Sequence, residues 1–164
     1  MRRLAMLCAM GLALAACATS EPEPLTIAQI DVEADLTSMQ SLSAVQYWQN
    51  LSSDLEAALA AEFSGQIDPG GKTVTVDVDE LSLSSVYAPG ATFADSRLSG
   101  RVTLLNPNET VVSAYDVTAT SGDVVPYLPE GTVTVPPTSS AYYAAVVRAF
   151  ARGAAETLRA GPAS

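Results

Sequence analysis

The stretch "LSGRVTLLNPNETVVSAYDVTAT", residues 98–120, holds two β-patterned runs around a short polar turn. Leu98 to Leu105 is the first run, and Thr110 to Thr120, rich in β-branched residues, is the second. "NPNE" between them is turn chemistry, and it is far too short for the crossover that parallel strands need. The two runs therefore predict an antiparallel hairpin. Because side chains alternate along a strand, Leu98, Val102 and Leu104 face the core on the first. Val111, Ser113, Tyr115 and Val117 share the expected inward side of the second.

Upstream, "DPGGK" at 68–72 is a turn and "TVTVDVDELSL" at 73–83 continues as a strand. Val74, Val76 and Val78 fall on one face, whereas Leu81 and Leu83 have the opposite parity. A strand buries both sets only if an extra residue intervenes, so a β-bulge or a break is expected near Asp79-Glu80. Before this strand, Val45, Trp48, Leu51, Leu55, Leu59 and Phe63 recur every three or four residues, one apolar stripe of a helix. Ser41 or Ser43 is its candidate cap, and Gly65 supplies the stop. Leu25 to Glu33 reads as a further strand, parallel to 73–84 through the crossover helix.

Downstream of the hairpin, an irregular proline-bearing stretch leads to Ser139 or Ser140, which opens a second helix. Tyr142, Val146, Ala149 and Phe150 line one side of it, with Tyr143, Val147, Ala154 and Leu158 alongside. Adjacent helical positions point about 100° apart, so one of Tyr142 and Tyr143 is expected in the core and the other at its rim. The order is β-α-β-β-β-α. It predicts an α+β two-layer sandwich over residues 25–160, a four-stranded mixed sheet covered by two helices.

The N-terminus carries an address. Met1-Arg2-Arg3 is basic, Leu4 to Ala16 is thirteen residues without a charge, and small residues close the run. This is the pattern of a secretory signal, and it is too short for a helix crossing roughly 30 Å of hydrocarbon. Leu14-Ala15-Ala16-Cys17 resembles the bacterial lipobox. That resemblance implies cleavage before Cys17 and diacylglyceration of its thiol. It divides the chain into a signal peptide (1–16), a lipidated tether (17–24) and the domain. Ala16-Cys17-Ala18 also fits an A-x-A site, the alternative being a plain secreted protein cut after Ala18. The remaining cysteine, Cys8, lies inside the signal, so the mature chain keeps one thiol and no disulfide partner for it. Two or three acyl chains, at about 0.8 kcal/mol per buried methylene, anchor stably where one does not.

The lipobox, the element order and "DSRLSGRVTLLNPNETVVSAYDVTATSG" together resemble small α/β lipoproteins of unknown function in Gram-negative bacteria. More loosely, they resemble the auxiliary lipoproteins of ABC-type lipid transporters. The resemblance implies an envelope protein that binds or supports a partner, and it carries no functional residues across. Ala18 is not the aspartate that retains lipoproteins in the inner membrane of enteric bacteria, which implies the periplasmic leaflet of the outer membrane.

Charge and chemistry narrow the function further. Loss of Arg2 and Arg3 from the eight basic residues leaves six against 18 acidic ones, a net charge of −12. So acidic a chain is repelled by phosphate backbones and by anionic lipid headgroups. No nucleic-acid partner is expected, and membrane contact is expected from the lipid rather than from a basic patch. There is no histidine, which removes Ser-His-Asp and Cys-His catalysis and His-ligated metals; no cofactor or metal is expected. Lys72, the sole lysine, sits in a glycine-rich turn that suits solvent better than a Ser-Lys dyad. Asp77 and Asp79 project from one face with Glu80 beside them. Such carboxylates can bind calcium or do acid–base work, but no calcium-loop spacing follows, and the other reading is a solvated polar face. Trp48 reads as core packing.

Two functions are compatible with these residues. One is a non-enzymatic, lipid-anchored envelope component that binds or assembles a protein partner. The other is a carboxylate-based hydrolase of an envelope substrate, using Asp77 with Glu80 or Asp95. A cleft holding two carboxylates about 5–10 Å apart would favour the enzyme. Strand directions also place the loops 85–97 and 121–138 at the end of the sheet away from the tether. Tyr87, Pro89, Phe93, Pro126, Tyr127, Leu128 and Pro129 would there form an apolar patch in an acidic surface, a candidate partner surface. The alternative is that they cap the open end of the core.

Overall fold

The computed structural model describes residues 24–34, 47–83, 96–128, 136 and 139–161, the Trp48 side chain excepted. The elements run β1 (Ile27–Ala34), α1 (Trp48–Glu62), β2 (Lys72–Ser82), β3 (Arg97–Leu105), β4 (Val111–Thr120), α2 (Ser121–Val124), a 3-10 turn (Val125–Tyr127) and α3 (Ser140–Ala160). The strands form one sheet in the order β1-β2-β3-β4. β1 pairs parallel with β2, and the other two pairings are antiparallel. This is the expected α+β arrangement with one small helix added.

The parity switch in β2 is resolved by a bulge. Val78 pairs with Gly100 and Glu80 with Ser99, which leaves Asp79 as the extra residue. Val74, Val76 and Val78 before it and Leu81 and Leu83 after it are all buried, so one strand feeds the core from both parities. Gly100 lies where β2 leans onto β3. A Cβ there would stand 2.6 Å from the Asp77 carbonyl oxygen and 3.1 Å from the Val78 Cα, so the bulge and the glycine require each other.

The β3–β4 hairpin also departs from regular register. Leu104 pairs with Ser113 and Leu105 with Val111, which skips Val112. The extra residue reverses the parity of what precedes it, so Val111 is 64% exposed rather than inward-facing. Val117 and Ala119 carry the buried side of β4, and Tyr115 is packed against the core.

α1 buries Leu51, Leu55 and Leu59, with Phe63 just beyond its end, as its stripe predicts. The helix begins at Trp48 behind Tyr47, later than expected, and Ser41, Ser43 and Val45 lie outside the described residues. Ser139 caps α3 by accepting the Tyr142 backbone N–H at 3.2 Å. Tyr142 and Tyr143 are both buried, which corrects the expectation of one at the rim. They reach different surroundings. Tyr142 lies beside Ser96 at the start of β3, and Tyr143 turns to α1.

Both helices cover the same face of the sheet and run side by side in the same direction. Tyr143, near the start of α3, stacks on Tyr47 at the start of α1, ring centroids 4.2 Å apart and planes 6° from parallel. At the other end, Arg159 donates to the Glu62 carbonyl at 2.7 Å and to Gln66 Oε1 at 3.0 Å. Its guanidinium stands 5.2 Å above the Phe63 ring.

α2 and the 3-10 turn occupy the start of the stretch expected to be irregular. The Asp123 carboxylate accepts the Thr120 backbone N–H at 2.8 Å and its hydroxyl at 2.7 Å, closing the first turn. These bonds hold the Asp123 carboxyl below its ordinary pKa. Val124 is fully buried and fixes this turn against the core.

Candidate functional site

At the sheet end away from β1's start, Ser82 pairs with Arg97 and Arg97 with Thr120. The chain thus leaves β2, enters β3 and leaves β4 at neighbouring points, as the strand directions predict. Of the residues expected to form a patch there, Tyr87, Pro89, Phe93 and Pro129 lie outside the described residues, as do Asp95 and Cys17. Pro126 is exposed, whereas Tyr127 and Leu128 are partly buried against the core. Tyr127 has a more specific place, in the wall of a groove between the helices.

That groove has a volume of about 520 Å³. Ala57, Ala58 and Ala61 of α1 form one side of it, and Ala144, Val147 and Ala151 of α3 the other. Ala57 and Ala61 are exposed and Ala144 is half-buried, whereas Val147 and Ala151 belong to the buried core and form the floor. Small side chains leave the groove open because they cannot fill the space between the two helices. Charged groups sit at its margins: Asp54 and Glu62 on α1, Arg148 on α3. Asp54 accepts the Tyr143 hydroxyl at 2.8 Å. Burial, then the Asp54 hydrogen bond and charge, push the Tyr143 phenol well above its ordinary pKa, so it remains a donor at any physiological pH. Glu62 lies 3.9 Å from Arg152. Arg148 is exposed and makes no hydrogen bond or ion pair with the described residues. A concave apolar strip with an unpaired cation at its margin can receive an apolar segment bearing a carboxylate.

Among the described residues, the opposite face of the sheet carries no helix and is polar. One register row crosses all four strands as Glu33, Asp77, Arg101 and Asp116. Arg101 binds Asp116 in a forked contact at 3.0 and 3.4 Å. The Asp116 hydrogen bond and charge, with smaller contributions from Asp79 and Asp77, raise the Arg101 pKa. Glu80 is bound by Arg97 at 2.8 Å. Asp31, Glu33, Asp77 and Arg101 line a depression of about 620 Å³ towards β1. The carboxylates predicted to act together are therefore divided: Asp77 lies in the depression and Glu80 in an ion pair beyond the bulge. Among the described residues, no cluster of three or more His, Cys, Asp or Glu is placed to hold a metal ion.

No family model and no curated protein sequence matches this chain. Among solved structures, the chain is similar to a candidate lipoprotein from Caulobacter crescentus CB15, at 17% identity and a TM-score of 0.39, covering 80% of this chain and 85% of that one. It is also similar to an uncharacterized protein at 13% identity and a TM-score of 0.34, covering 81% and 88% of the two chains. Both likenesses are too distant to assign a family or an activity.

Proposed function

We propose that the protein is a lipid-anchored lipoprotein of the bacterial envelope whose domain binds or assembles a protein partner. The observation that carries the anchor is Leu14-Ala15-Ala16-Cys17 at the end of an uncharged run, which leaves one thiol at the new N-terminus. The periplasmic leaflet of the outer membrane is the compartment that Ala18 favours. Cys17→Ser is expected to shift the protein from the membrane fraction to an unprocessed or soluble form. Unchanged membrane association of the variant would contradict the anchor.

Partner binding is supported by the helix groove, apolar within a strongly acidic chain. Ala57 and Ala61 are exposed within it, so tryptophan at both positions fills the groove without entering the core. This double variant is expected to abolish partner capture from solubilised envelopes and to change Tm by only about 2 °C, as suits surface positions. Full capture by the variant would place the binding surface elsewhere.

A second reading, a carboxylate hydrolase, is favoured by the depression that holds Asp31, Glu33 and Asp77. Adjacent strands put Glu33 and Asp77 side by side, within the reach of a glycosidase pair. Glu33 and Asp77 are both exposed, however, with no enclosed cleft between them. Release of sugar from peptidoglycan by the wild type, lost in Asp77→Asn, would favour this reading over the first.

A further inference from the structure

The tether enters the domain at one end of the sheet, and that end differs from the rest of the surface. It comprises the start of β1, the turn before β2, the β3–β4 turn and the last residues of α3. Among the described residues four large apolar side chains are exposed, and three of them, Ile67, Val111 and Val112, lie here. Ile67 bridges to Ile27 beside β1's start, and Val111 and Val112 open β4 at the other side of the sheet. Between these corners lies a cavity of about 660 Å³ whose walls include Leu25, Leu158 and two cations, Lys72 and Arg159. Asp68 and Glu109 are the carboxylates of the two turns. Among the described residues of this end two cations stand against two carboxylates, and the adjoining tether sequence adds Glu21 and Glu23.

We propose that this end of the domain seats directly on the bilayer surface. Ile67, Val111 and Val112 enter the interfacial layer, with the cationic Lys72 and Arg159 at its edge. The proposal rests on the Cys17 anchor. Six residues lie between Cys17 and Pro24, so the tether holds this end within about 25 Å of the membrane. Three aliphatic side chains and two cations would not recruit a free protein to lipid. A short tether raises the effective concentration of the surface to the millimolar range, where a weak contact is populated. The same geometry leaves the helix groove and the far end of the sheet open to the periplasm.

Amide hydrogen exchange tests the seat. Cys17 of the full mature chain is coupled to maleimide-bearing phosphatidylethanolamine in phosphatidylethanolamine–phosphatidylglycerol vesicles, which supplies an anchor whether or not cells build one. Exchange across 65–70 and 106–112 should slow at least about fivefold relative to the free chain, with 121–127 unchanged. Ile67→Asp combined with Val112→Asp should remain coupled, keep its Tm and lose the protection. Equal exchange in coupled and free chains, or uniform slowing at both ends, would overturn the seat and leave the anchor standing. Absence of acyl chains on Cys17 in cells would instead overturn the anchor, and the vesicle result still decides whether this end has affinity for lipid.

Discussion

Gly100→Val is expected to destabilise the domain by about 4 kcal/mol. The first atom of any side chain at this position would stand 2.6 Å from the Asp77 carbonyl oxygen and 3.1 Å from the Val78 Cα. Both obstacles are backbone, so no rotamer change relieves the clash. Relief requires β2 to move away from β3 beside the bulge, which breaks ladder hydrogen bonds in the centre of the sheet. Overpacking alone costs about 1–3 kcal/mol, and the strained ladder brings the total to about 4. That is a large part of the roughly 5–15 kcal/mol that holds a domain together. Urea denaturation measures it. A variant within about 1 kcal/mol of the wild type would mean that the two strands do not approach as described.

Phe150→Ala should destabilise the domain by about 3–5 kcal/mol. Phe150 is fully buried on α3, among the largest side chains in the core, between the helix and the sheet. Its removal loses the transfer energy of the ring and leaves a cavity that strands on one side and a helix on the other cannot close. The expected fall in Tm is about 10–20 °C for a domain of this size. Val125→Ala, at a site 65% exposed, should fall within about 0.5 kcal/mol of the wild type and serves as the control. A small loss at Phe150 would indicate that α3 does not pack on the sheet through this face.

The elements with a strong period were legible from residues alone. Val74, Val76 and Val78 against Leu81 and Leu83 announced a bulge or a break, because a regular strand cannot bury two parities on one face, and the bulge is the one that forms. Leu51, Leu55, Leu59 and Phe63 announced α1 because each is large and apolar at helical spacing. Strand order followed from the short hairpin turn and the crossover helix. The second bulge, at Val112, was not legible: two valines in succession satisfy either parity, so Val111 was assigned inward. α2 was missed although Thr120-Ser121-Gly122-Asp123 carries a capping pattern, because a single turn of helix leaves no period to read. The groove was missed for a different reason. Alanine favours helix without marking a face, so Ala57, Ala61 and Ala144 say nothing until the two helices are set side by side. Tyr127, expected in a patch at the end of the sheet, lines that groove instead, a place that strand direction alone does not give.

The central claim is that this domain is held at a membrane by lipid on Cys17, and intact mass analysis of the N-terminal peptide from the native protein tests it most directly. The expected species begins at Cys17 and carries two or three acyl chains on it. An unmodified peptide beginning at Thr19 would contradict the claim and make the protein a freely secreted one.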